Sequence, residues 1–146
     1  MIGGMRIRLL PESVIDEAPN WTLAVNRNQN LLGKVMLVAR RPVSSVVDLR
    51  AEEWLELRHE IGRLCAALDA LFQPDQYNHA FLMNVDAEVH LHVVPRYRHD
   101  RQWSGEVFSD PHYGGLFGTE ERVLELEKVA DLAVAVRGRL PHLRIP

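Results

Sequence analysis

Apolar positions along the chain follow two spacings. Residues 21–27, WTLAVNR, are apolar and β-prone and run into a polar turn, NRNQN. Residues 34–41, KVMLVARR, repeat that pattern after Gly33, so the two segments predict a hairpin with a long loop. Pro42 blocks further ladder pairing. Over 51–72 the spacing changes to steps of three and four: Trp54, Leu57, Ile61, Leu64, Leu68 and Leu71, with Cys65 and Phe72 widening the stripe. This predicts a helix, with Asp48 ahead of it, Glu52 and Glu53 at its positive end and Pro74 beyond its C-terminus. Strand-like segments return at 77–84, YNHAFLMN, and 88–95, EVHLHVVP, joined by the short turn VDA. Residues 98–118 read as loop. A second amphipathic helix is expected over 119–137, capped by Thr119, with Val123, Leu126, Val129, Ala130, Ala133 and Val136 as its stripe. Strands, helix, strands, helix is the order of an α+β fold, an antiparallel sheet with helices packed on it.

A length of 146 residues suits one domain, 1–146, with a real core. The net charge of −3 gives no broad basic field, so neither nucleic acid nor an anionic membrane surface is an expected partner. The single cysteine, Cys65, allows no intrachain disulfide and falls in the helical stripe as a buried thiol. No run of 18 apolar residues occurs, and the first ten residues lack a signal-peptide core. A reducing, cytoplasmic setting is the expectation.

The chemistry gathers in EVHLHVVPR, residues 88–96. Side chains alternate along a strand, so Val89, Leu91 and Val93 share one face and Glu88, His90 and His92 the other. Polar groups spaced about 6–7 Å apart on a rigid strand make a floor for a ligand. Three readings fit the pattern. The face can be a solvated surface. It can hold a metal through His90 and His92, with Glu88, His79 or His99 as a third ligand. Or the histidines can act on a phosphate ester, since a neutral imidazole has a nitrogen with which to attack.

EVHLHVVPR resembles the signature of the histidine-triad (HIT) family, in which three alternating histidines are often followed by Pro-Arg. The upstream segment LAVNRNQNLLGKVMLVARRPVSSVVDLRAEEWLEL is similar to the N-terminal half of HIT proteins, and the resemblance covers about residues 20–97. It implies an antiparallel sheet of about five strands with a long central helix and a C-terminal helix. It also implies a nucleotide hydrolase or transferase acting at the α-phosphate, either a nucleoside phosphoramidase or a dinucleoside polyphosphate hydrolase. His90 matches the middle, nucleophilic histidine and His92 the last, beside the phosphate. Asn26 matches the nucleoside-side asparagine, and Asn84 the polar position ending the strand before the signature. The carbonyl of residue 88 would hold the second ring nitrogen of His90. No cofactor or metal is implied, and the partners are a small-molecule nucleotide and a second copy in a homodimer.

Some residues depart from the family pattern. Glu88 stands where the first triad histidine would be, and Lys34 where several relatives carry a supporting histidine. Glu88, on the face of His90 and His92, is expected to raise a histidine pKa, weaken turnover and move its optimum to alkaline pH. A nucleotide-binding module with little turnover is therefore the alternative. Arg96 can reach phosphate or pair with an acid.

Overall fold

The computed structural model describes residues 7–142. Five strands form one antiparallel sheet: β1 (Val14–Glu17), β2 (Trp21–Val25), β3 (Val35–Ala39), β4 (Gln76–Ala80) and β5 (His90–Arg96), in the order β1-β2-β3-β5-β4. Helix α1 spans Ala51–Phe72, the predicted range, and α2 spans Leu126–Arg137. The two hairpin strands β2 and β3 pair in register from Trp21↔Ala39 to Val25↔Val35.

One face of the sheet builds the core. Trp21, Leu23, Val35, Leu37, Leu91 and Val93 pack with Leu64, Leu68 and Phe72 of α1 and with Val129, Leu132 and Val136 of α2. The Trp21 indole N–H donates to the carbonyl of Glu53 at 2.8 Å, tying β2 to the first turn of α1. Glu53 also reaches back to the N–H of Arg50 and takes two bonds from Arg41, so the helix start and the segment after β3 are fixed together. Gly33 has φ +82°, and a Cβ there would lie 3.0 Å from Leu68 and 3.1 Å from Phe72. A glycine therefore lets the β2–β3 loop turn directly against α1. Gln29 closes that loop from inside, donating to the carbonyls of Asn26 and Lys34 and accepting from Gly33 N.

Four expectations need correction. Strand β1 was not predicted; Pro11 opens a short turn before it, and only Ile15 of its four residues is buried. The stretch 98–118 is not all loop, because β6 (Arg101–Trp103) and β7 (Glu106–Phe108) form a second, two-stranded sheet. The second helix starts at Leu126, not at 119. Residues 122–124 instead bond to the β2–β3 loop, with Asn28 bridging Val123, Gln29 N on Arg122 O and Leu124 N on Arg27 O. Strand β4 ends at Ala80, four residues short of Asn84. No helix among the described residues is long and apolar enough to cross a membrane.

Candidate active site

The face of the sheet away from the helices carries the chemistry. The pairings Met36↔His92 and Val38↔His90 on one side of β5, and Ala80↔His92 on the other, set its rows. Lys34 and Asn26 extend β3 and β2 by one step, with Asn26 N bonded to Lys34 O at 3.0 Å. Residues 110–123 lie over this end of the face. Asn30 donates to Gly118 O, Asn28 donates to Glu120 O, and Arg96 donates to His112 O and Gly115 O.

His90 is buried and His92 half-buried, their ring centroids 4.9 Å apart and nearly perpendicular. His90 Nδ1 lies 2.8 Å from the carbonyl oxygen of Glu88. A carbonyl only accepts, so Nδ1 carries the proton, and in the neutral ring Nε2 keeps its lone pair. Burial pushes the pKa of His92 down to about 4, helped by His90 and by the charge of Lys34. His92 is thus neutral at pH 7 and can both donate and accept. This reverses the expected upward shift: the charges that act on His92 are those of His90 and Lys34, not that of Glu88.

The other candidates are placed as follows. Strand β5 begins at His90, so Glu88 precedes it rather than sharing its face. The ladder continues through Val89, which bonds to Ala39 and Val43, and stops there. The Glu88 carboxylate accepts from Ile7 N at 3.2 Å. Asn26 sits just past β2, and its Oδ1 accepts from Asn28 N at 3.0 Å, so the turn uses the oxygen and not the Nδ2. Asn84 is exposed in the loop between β4 and β5, because the ladder partner of β5 runs out at Ala80. Among the described residues it bonds to neither histidine. Arg96 is buried against Asp110 and does not stand at a solvent surface. No cluster of three or more His, Cys, Asp or Glu among the described residues is arranged to hold a metal.

Lys34, a departure from the family pattern with no role expected from sequence, belongs with this face. It is buried, its Nζ donates to Asn30 Oδ1 at 2.6 Å, and burial lowers its pKa to about 8. A lysine directly after the turn glycine and ahead of an apolar strand was the signal available.

The HIT domain family matches residues 8–99. Several solved structures share the fold. A histidine triad protein from Bradyrhizobium japonicum is 25% identical, with a TM-score of 0.66 over 87% of this chain and 89% of that one. A histidine triad protein from Sinorhizobium meliloti is 21% identical, with a TM-score of 0.67 over 88% and 89%. The Plasmodium falciparum diadenosine triphosphate hydrolase is 16% identical, with a TM-score of 0.71 over 94% and 81%. No curated protein matches the chain.

Proposed function

The chain belongs to the HIT domain family, and from that premise we propose that it is a nucleotide hydrolase or transferase working at the α-phosphate through His90. The observation that carries this is the 2.8 Å contact between His90 Nδ1 and the Glu88 carbonyl, which leaves Nε2 as the nucleophile. Nε2 attacks phosphorus, the P–N bond forms, and the leaving group departs with the electrons of its bond to phosphorus. Water then attacks the nucleotidyl-His90, its oxygen bonds to phosphorus, and the imidazole and a nucleoside monophosphate are released. Splitting one displacement into two easier ones is the benefit of the covalent step. Neutral His92 donates to a nonbridging oxygen as charge builds there.

In this reading Glu88 holds the place of the first triad histidine, and its carbonyl rather than its side chain serves the nucleophile. Asn26 offers Nδ2 to the nucleoside, and Asn84 serves the phosphate side from its loop. Phosphoramidates and dinucleoside polyphosphates are the substrate classes; the diadenosine triphosphate hydrolase of similar fold supports the second. A homodimer fits the surface. Strand β4 is an open sheet edge with a cleft of about 570 Å³ between residues 77–80 and 115–117. Trp54 of α1 stays 42% exposed with its ring edge on Phe81, an apolar area that a second copy would cover.

The test is a single turnover with labelled adenosine 5′-phosphoramidate, quenched and read by mass spectrometry. The expected result is an adenylyl group on His90. His90→Ala should abolish turnover and keep adenosine monophosphate binding within a few-fold. Wild-type turnover rates in that variant overturn the assignment. Binding without any covalent species favours the binding-module alternative.

A further inference from the structure

Buried charges elsewhere in this protein are closed by opposite charges. Glu53 meets Arg41 at 2.7 Å, Glu60 meets Arg63 at 2.6 Å, and Asp110 meets Arg96 at 2.7 Å. Lys34 is built differently. Among the described residues the partner of its buried ammonium is the neutral amide oxygen of Asn30. Asn30 also contacts the carboxylate of Glu120, which is engaged by the His112 ring at 2.6 Å on an exposed stretch. A buried ammonium without a countercharge is costly, and lysine is almost never fully buried unless paired.

Its position gives the missing partner. Met36 is the register partner of His92, and Lys34 lies two residues earlier on the same face of the same run. The two are diagonal neighbours, a spacing that long side chains bridge. The charge of Lys34 is felt at His92. The cation therefore shares the face on which His90 Nε2 and His92 are presented.

We propose that Lys34 is the residue that receives the phosphate charge of a bound nucleotide, leaving His92 to act as a neutral hydrogen-bond donor. This rests on the reaction proposed at His90. The phosphate is the countercharge that the described residues do not supply to Lys34, so ligand binding closes a buried charge left open. With its pKa lowered to about 8 by burial, the free amine gives up its proton within the working range of many assays. Binding an anion holds that proton in place.

The experiment compares adenosine monophosphate with adenosine by calorimetry, on wild type and on Lys34→Met. The expected result is a loss of adenosine monophosphate affinity of about tenfold or more, the size of a charge-assisted hydrogen bond, with adenosine unchanged within about twofold. Unchanged monophosphate affinity overturns the proposal, and so does an equal loss for both ligands, which marks a structural role. A second measurement needs no variant. Wild-type affinity for the monophosphate should fall from about pH 7 to about pH 9, where the ligand phosphate stays fully ionised because its second pKa is about 6. Among the described residues the titratable groups around Lys34 include His92 on β5, with His90 beside it, and, across Asn30, Glu120 with His112. The Lys34→Met profile keeps their contribution, so the difference between the two profiles reports Lys34. A flat wild-type profile overturns the proposal. A wild type that binds neither ligand removes the nucleotide reading itself, a result distinct from binding that ignores Lys34.

Discussion

Arg96 and Lys34 are two buried cations on the same face of one sheet, and they resolve the cost of burial in opposite ways. Arg96 donates from Nε and both Nη atoms to the two Asp110 oxygens, to Asn78 Oδ1 and to the carbonyls of His112 and Gly115. Five bonds meet the five donors of a guanidinium. Burial works against the Asp110 carboxylate, yet the Arg96 bonds and the Tyr97 N–H hold its pKa below the usual range. Nothing in that cluster waits for a ligand; it pins residues 110–115 to β5. Lys34 has three donors and, in the free protein, a neutral acceptor. A closed charge network is architecture, and a charge left open beside two histidines is a binding element.

Breaking the closed cluster should have the largest effect on stability. Asp110→Ala leaves the Arg96 guanidinium buried and uncompensated, and removing one partner of such a pair costs about 3–5 kcal/mol. Urea unfolding should show that loss as a lower midpoint at an unchanged slope. A cost below about 1 kcal/mol would mean that Asp110 and Arg96 are not the closed pair described.

Opening the other site should have the opposite sign. Lys34→Met removes a buried charge and keeps the volume roughly constant, so the free protein should gain on the order of 1 kcal/mol at pH 7. The pH dependence follows from the direction of the shift. The folded pKa, about 8, lies below the unfolded value near 10.5. Between these values the unfolded chain binds more protons, so wild-type stability gains from this group as pH rises. The advantage of Lys34→Met should therefore shrink from pH 8 toward pH 10. Paired thermal melts across that range check it, and a gap that widens with pH contradicts the burial argument.

The contrast between the two cations also marks what the sequence could disclose. Helix α1 was legible because its stripe is local, and β2, β3 and β5 because alternation is local too. His90 and His92 followed from the same alternation. The segment 119–125 was not legible as non-helical: its backbone is drawn to Arg27, Asn28 and Gln29, almost a hundred residues earlier, and helical spacing in the side chains carries no trace of that pull. Val123 accordingly stands 56% exposed instead of joining the α2 stripe. Lys34 was hidden for a related reason. Only the β3–β5 register brings it diagonal to His92, and pairing partners between distant strands are not written in either strand alone.

Glu88 supplies the smallest effect, and it carries the comparison down to a single residue. Its carbonyl is fixed on His90 Nδ1, while its carboxylate accepts from Ile7 N. The two halves of the residue therefore do different work: the backbone half meets the His90 ring and the carboxylate meets the Ile7 N–H. The expectation from sequence was that the carboxylate raises a neighbouring histidine pKa and weakens turnover. His92 is instead held near 4 by burial, by His90 and by Lys34. Removing the carboxylate charge while keeping its shape should then leave catalysis almost untouched. Glu88→Gln should change kcat/KM for an adenylate substrate by less than about threefold at pH 7, a barrier change of under about 0.7 kcal/mol. Its pH optimum should stay where the wild type has it, because the carbonyl that sets the His90 tautomer is unchanged. A pH–rate profile of the two proteins decides the point. A gain of tenfold or more, with an optimum moved toward neutral pH, would restore the carboxylate as a tuning charge and show that position 88 acts on the histidines through its side chain.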